Sequence, residues 1–193
     1  MEHTKKTLLA LVASFFFLFA AAQAKYTAKD NMSLVVSGTS TLHDWDMKSS
    51  KGDCAVAFAT NASGALTSLT SLQFSTRTEF LKSDKSAMDK NAYKALKAEA
   101  NPVISFTASS GAVSGSEAAG YQIKSTGKLT IAGTTRDEEV VAFCKVNPDK
   151  SITVTGSTKI SMKDFGMTPP SFMMGTIKTG NDVVLKFNLT LKK

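Results

Sequence analysis

The stretch Ile152-Thr153-Val154-Thr155-Gly156-Ser157-Thr158-Lys159-Ile160-Ser161-Met162 carries the reading of the fold. Ile152, Val154, Gly156, Thr158, Ile160 and Met162 share one side of an extended chain, while the positions between them are Thr, Ser and Lys. Side chains alternate across a strand, so one face here suits an apolar interior and the other suits water. The same period recurs in both directions. Toward the C-terminus it is Val183, Leu185, Phe187, Leu189 and Leu191. Toward the N-terminus, Leu34 and Val36 open a first strand that runs to Thr41, and Met47–Lys51 with Cys54–Thr60 make a second, broken at Gly52-Asp53. Leu72, Phe74, Thr76, Thr78 and Phe80 mark the third, and Val103–Ser109 the fourth. Tyr121, Ile123, Leu129 and Ile131 mark the fifth, ending in the turn Gly133-Thr134-Thr135. Arg136–Val146, closed by Asn147-Pro148-Asp149, is the sixth. About eight strands separated by turn signals predict an all-β fold, a sandwich or a barrel. The long apolar faces favour an eight-stranded antiparallel β-barrel, whose interior is filled by side chains or holds one small ligand.

One α-helix is inserted. Met88, Ala92, Ala95 and Leu96 line one face from about Ser86 to Glu99, with Asp84 or Ser86 as candidate cap and Pro102 as the stop. Its other faces carry Lys85, Lys90, Lys94 and Lys97, so it should cover a barrel end rather than cross the lumen. Asp164–Asp182 break the strand pattern with Pro169-Pro170 and several Gly, yet include Phe165, Met167, Phe172, Met173 and Met174. A loop that apolar has to pack on something, and a lid over the barrel mouth is one answer.

Residues 1–24 read as a secretory leader: Lys5 and Lys6, an apolar run from Thr7 to Ala22, and a small-x-small site at Ala22-Gln23-Ala24. The run is shorter than the roughly 20 residues a membrane span needs. Cleavage after Ala24 leaves residues 25–193 as one domain, placed in the periplasm or secreted, with no later membrane-spanning stretch. Losing Glu2, Lys5 and Lys6 lowers the net charge from +7 to +6. With only Arg77 and Arg136 as arginines and no basic block, this charge reads as scattered solvated Lys, not as a nucleic-acid surface.

Export places Cys54 and Cys144 where disulfides persist, and two cysteines admit one intramolecular pairing. The expectation is a Cys54–Cys144 disulfide, with two buried free thiols as the alternative. Without the leader His43 is the sole histidine, which leaves no local zinc spacing. Nucleotide-binding, haem-attachment and nucleophile-elbow motifs are also missing. No catalytic residue, cofactor or metal is predicted. In Thr39-Ser40-Thr41-Leu42-His43-Asp44-Trp45, His43 and Trp45 suit the polar end of a ligand, although a His beside Asp44 is more often a hydrogen-bonded turn residue and a sole Trp more often core.

That stretch, followed by Asn101–Phe106, Gly127–Arg136 and Asp164–Pro170, resembles the YceI-like family, and the match runs from about Ser33 to Leu191. The resemblance implies a lipocalin-like barrel with a helix at one end and an apolar tunnel that takes a polyisoprenoid or another long-chain lipid. It implies no catalysis. Strand parity then places Phe74, Phe106, Ile131, Val154, Met162 and Phe187 inward. Phe165, Phe172 and Met173 are expected to close one mouth, and Trp45 to lie at the other, polar boundary. The expected partner is a long-chain lipid or isoprenoid, held for transport or storage, with a homodimer left open. Two readings compete: a solid-cored interaction module showing its Phe/Met loop to a partner, and a small hydrolase or isomerase with His43 as base.

Overall fold

The alternating stretch forms a strand with neighbours on both sides. The computed structural model describes residues 22–193; most of the expected leader lies outside them. In chain order the strands are β1 (Ala22–Lys29), β2 (Ser33–Ser40), β3 (Trp45–Ser49), β4 (Asp53–Thr60), β5 (Leu66–Arg77), β6 (Val103–Ala108) and β7 (Gly111–Ser116). They continue with β8 (Gly120–Ile131), β9 (Thr134–Val146), β10 (Ile152–Ser161), β11 (Ser171–Phe172) and β12 (Ile177–Leu191), and helix α1 (Ser86–Ala95) lies between β5 and β6. In β10, Val154 stands opposite Cys144 of β9 and Leu189 of β12.

Eleven of the twelve strand segments make eight ribbons, and β11 pairs only with the start of β12. β1 and β2 form one bent ribbon, and β3 and β4 form the ribbon beside it: β1 pairs with β4 and β2 with β3. The bend is held by Asp30 N–H to Gly52 O (2.8 Å) and Met32 N–H to Ser50 O (3.3 Å). Asp30 and Asn31 have φ of 52° and 50°, left-handed values that Asp and Asn tolerate better than most residues. β6 and β7 likewise share one ribbon between β5 and β8. Every pairing is antiparallel. The ring closes where β12 pairs with β2 and where Thr27 and Lys192 exchange two backbone hydrogen bonds of 2.7 and 2.8 Å. Closure removes the open sheet edge that invites aggregation.

Local chemistry explains the turns. β8 and β9 are joined by Ala132-Gly133, both with positive φ, as a two-residue turn that follows strand twist requires. The helix ends earlier than Glu99. Lys97 turns left-handed (φ 52°), Ala98 N–H reaches Tyr93 O (2.9 Å) and Lys97 N–H reaches Lys94 O (3.1 Å). This double bond pattern stops the helix, and Pro102 plays no part in it. Neither Asp84 nor Ser86 caps the start: Lys85 is the N-cap, without a side-chain bond. Instead Asp89 accepts from the backbone N–H (2.8 Å) and hydroxyl (2.7 Å) of Ser83, tying the first turn to the preceding loop. Leu96 is buried and Met88, Ala92 and Ala95 pack against the barrel core, so the expected helix face is the one that docks.

The expected leader overlaps the barrel: Ala22, Gln23 and Ala24 are the first residues of β1, opposite Thr60, Ala59 and Phe58. Part of the expected lid is also strand, because β12 begins at Ile177 and carries a register shift between Thr179 and Val183. That irregularity passes through Gly180-Asn181-Asp182, residues whose turn chemistry hides a strand.

Candidate functional site

Inward-facing side chains form two apolar clusters, one at each end of the barrel. Tyr26, Phe58, Tyr121, Ile152 and Leu191 belong to the closed end; Met47, Leu81, Leu96, Phe106, Ile131 and Met162 belong to the end that α1 covers. A cavity of about 530 Å³ runs between them, touching Phe58, Leu69 and Leu191 at one extreme and α1 at the other. Well-packed cores contain few voids larger than a water molecule, and small-ligand sites occupy about 300–1,000 Å³.

Three glycines keep the lumen open. Gly38 stands opposite Trp45 and Gly156 opposite Phe187, while Gly127 lies two residues before Leu129, the partner of Phe106. A Cβ on Gly38 or Gly156 would collide with the facing ring, and one on Gly127 would come within 2.6 Å of Phe106 Cζ. The rings therefore lie flat along the wall instead of filling the centre.

Eight of the ten expected contact residues line this cavity: Trp45, Phe74, Phe106, Ile131, Val154, Met162, Phe172 and Phe187. Phe165 does not. The 3₁₀ turn over Met162–Phe165 buries it completely in the apolar cluster at the α1 end, behind the residues that line the cavity. Met173 does not either, being 73% exposed. β11 pairs with Ile177–Lys178, which leaves Met173 and Met174 at the hairpin tip while Phe172 turns inward. Trp45 lies at the same mouth as Phe172, not the opposite one: Thr41 bonds Lys178 O (3.0 Å) through its N–H and Thr176 O (3.3 Å) through its hydroxyl, joining the two loops. Trp45 is fixed by its indole N–H to Thr39 O (3.0 Å).

The expected disulfide is corrected. Cys54 and Cys144 are both free, buried thiols that line the cavity. Their strands β4 and β9 stand on opposite sides of the closed ring, with β5, β6 and β8 between them one way and the β1–β2 ribbon, β12 and β10 the other way. A disulfide needs Cα atoms within about 7 Å. Burial pushes both thiols up to about 12.

The polarity of the lining is graded. Within the walls the polar groups are Thr158, the two thiols and Thr76, whose hydroxyl donates to Lys51 O (2.8 Å). Ser40, His43, Lys85, Asn91 and Thr179 all sit at the α1 mouth. No fully buried side-chain nitrogen or oxygen among the described residues lacks a hydrogen-bond partner. His43 is exposed, with Nδ1 donating to Asp44 O (2.7 Å). The contributions of Leu42 and of Ala87, Asn91 and Ala95 to the mouth were not legible in the sequence. Helical spacing put Ala95 on the docking face, but only the placement of the helix turns that face into a cavity wall.

A closed antiparallel barrel around an apolar cavity, capped by a helix with polar groups gathered at that end, defines a hollow β-barrel of the lipocalin-like class. The chain belongs to the YceI-like domain family, whose model matches residues 19–191. Burkholderia cenocepacia BcnA is a structural relative at 16% identity and TM-score 0.66, over 82% of this chain and 95% of that one. A polyisoprenoid-binding domain from Saccharophagus degradans, implicated in plant cell wall breakdown, superposes with TM-score 0.63 at 10% identity, over 89% and 99% of the two chains. The Campylobacter jejuni YceI protein aligns with TM-score 0.55 at 19% identity, over 73% and 82%. No curated protein matches the chain.

Proposed function

We propose that this protein is an exported carrier that holds the tail of a long-chain amphiphile, polyisoprenoid-like or similar, in the barrel for transport or storage. The observation that carries the reading is the apolar cavity of about 530 Å³, with its polar groups at one mouth. Each methylene moved from water into such a lumen contributes about 0.8 kcal/mol, so binding needs little polar chemistry. The polyisoprenoid-binding relative supports the same ligand class. The leader-like residues 1–24 support export. A solid-cored interaction module fits less well, because its core would be filled.

Titration with a fluorescent long-chain lipid tests this. Saturable binding is expected for the wild-type protein, and loss of binding for Phe106→Arg, which puts a charge into the lumen wall. Circular dichroism shows whether that variant folds. Val154→Trp, which fills the lumen without adding charge, serves if it does not. A wild-type protein that takes up no long-chain probe would overturn the reading, as would folded variants that bind as tightly as wild type.

A further inference from the structure

A second hollow of about 290 Å³ lies beside the mouth and shares His43, Trp45, Lys85 and Met88 with the cavity. Its remaining walls are Asp44, Asp46 and Lys48 on one side and Lys82, Ser83 and Asp84 on the other. Asp46 and Lys48 are the exposed positions of β3, alternating with buried Met47 and Ser49, so this hollow stands on the outer side of the rim. The two walls are fastened by paired backbone hydrogen bonds between Lys48 and Lys82, 2.7 and 2.8 Å.

Charges of both signs line this space without neutralising one another. Asp44, Asp46, Asp84, Lys48 and Lys85 take part in none of the ion pairs formed among the described residues. Lys82 is the exception, held by Asp89 (3.7 Å) and placed over the Tyr93 ring (5.1 Å). The frame beneath these charges is fixed. Ser40 Oγ accepts from the Leu42 and His43 N–H groups and donates to His43 O (2.7 Å), and the Trp45 indole is held as described.

From this geometry we infer that the hollow is the head-group subsite of the same ligand and that it takes a zwitterionic head, an anionic group linked to an ammonium. The inference rests on the carrier reading above. A simple anion in this space meets three carboxylates, and a simple cation meets two free ammonium groups. A head that carries both signs pairs with Lys48 and Lys85 on one part and with the aspartates on the other. The shared wall at Trp45 and Met88 lets the tail enter the lumen while the head stays in water.

The test compares amphiphiles with one and the same alkyl tail: a lysophosphatidylcholine, a fatty acid, an alkyltrimethylammonium and a fatty alcohol. Exposed charge pairs are individually weak, so the zwitterion is expected to bind about tenfold tighter than the alcohol at low salt. Added salt should shrink that margin. Lys48→Gln with Asp46→Asn, both exposed and lining only the hollow, should remove the margin and leave alcohol binding unchanged. Equal binding of all four probes would overturn the subsite and leave the carrier reading intact. Preference for the pure anion or cation would overturn it too, as would a margin that survives the double variant. Failure of every probe to bind would sink the carrier reading and this inference with it.

Discussion

A methyl group at Gly156 has no room. It would collide with the Phe187 ring and approach Val141 O to 2.8 Å. Gly156→Ala should therefore destabilise the barrel by about 1–3 kcal/mol, as overpacking does. The ring it displaces would also narrow the lumen and weaken lipid uptake. Adding Phe187→Leu should recover much of both losses, and a single variant with wild-type melting and uptake would contradict the packing described. The two thiols give a pH signature. Their usual value is near 9, and burial raises it to about 12. The folded state thus keeps two protons that the unfolded chain releases. Stability on this account is intact below about pH 9 and falls as pH climbs toward 12. Urea midpoints measured across that window should fall, and Cys54→Ala with Cys144→Ala should flatten the trend. Intact mass of non-reduced protein should equal the dithiol value.

Period two made most of the elements readable, because a half-buried strand writes its burial into sequence. β8 is the plainest case: Tyr121, Ile123, Leu129 and Ile131 are buried while Gln122, Lys124 and Lys128 are exposed. Where a strand departs from that code, the sequence does not mark it. Gly-Ala-Val-Ser-Gly-Ser of β7 carries little apolar contrast, and its exposed pattern explains why. β1 was hidden in part by a leader-like start, and the first residues of β12 by Gly180-Asn181-Asp182. The helix face was readable from spacing, but its end was not, since a left-handed Lys97 is not a sequence signal. Leu96→Asp should cost about 3 kcal/mol, because it removes a buried side chain and introduces an unpaired charge. Lys94→Ala on the solvent face should stay within about 0.5 kcal/mol. Thermal unfolding of the pair checks this, and equal shifts would mean that the docking face is misassigned.

At the scale of the whole molecule, parity says which side chains face inward but not whether they fill the space they face. Phe74, Phe106 and Phe187 would serve a solid core as readily as a tunnel. What separates the two is the close approach of rings to Gly38, Gly127 and Gly156, a pairing that depends on cross-strand register. The same limit governed the mouth. Trp45 and Phe172 are distant in sequence, and the bonds of Thr41 to Thr176 and Lys178 bring their loops together. Phe165 and Met173, with similar composition around them, ended up in the core and in solvent.

Native mass spectrometry of protein purified without detergent addresses the hollow barrel most directly. The account predicts a complex heavier than the chain by one amphiphile, released on mild activation and absent from Phe106→Arg or Val154→Trp. The bare chain mass alone, unchanged after incubation with long-chain lipid, would contradict it.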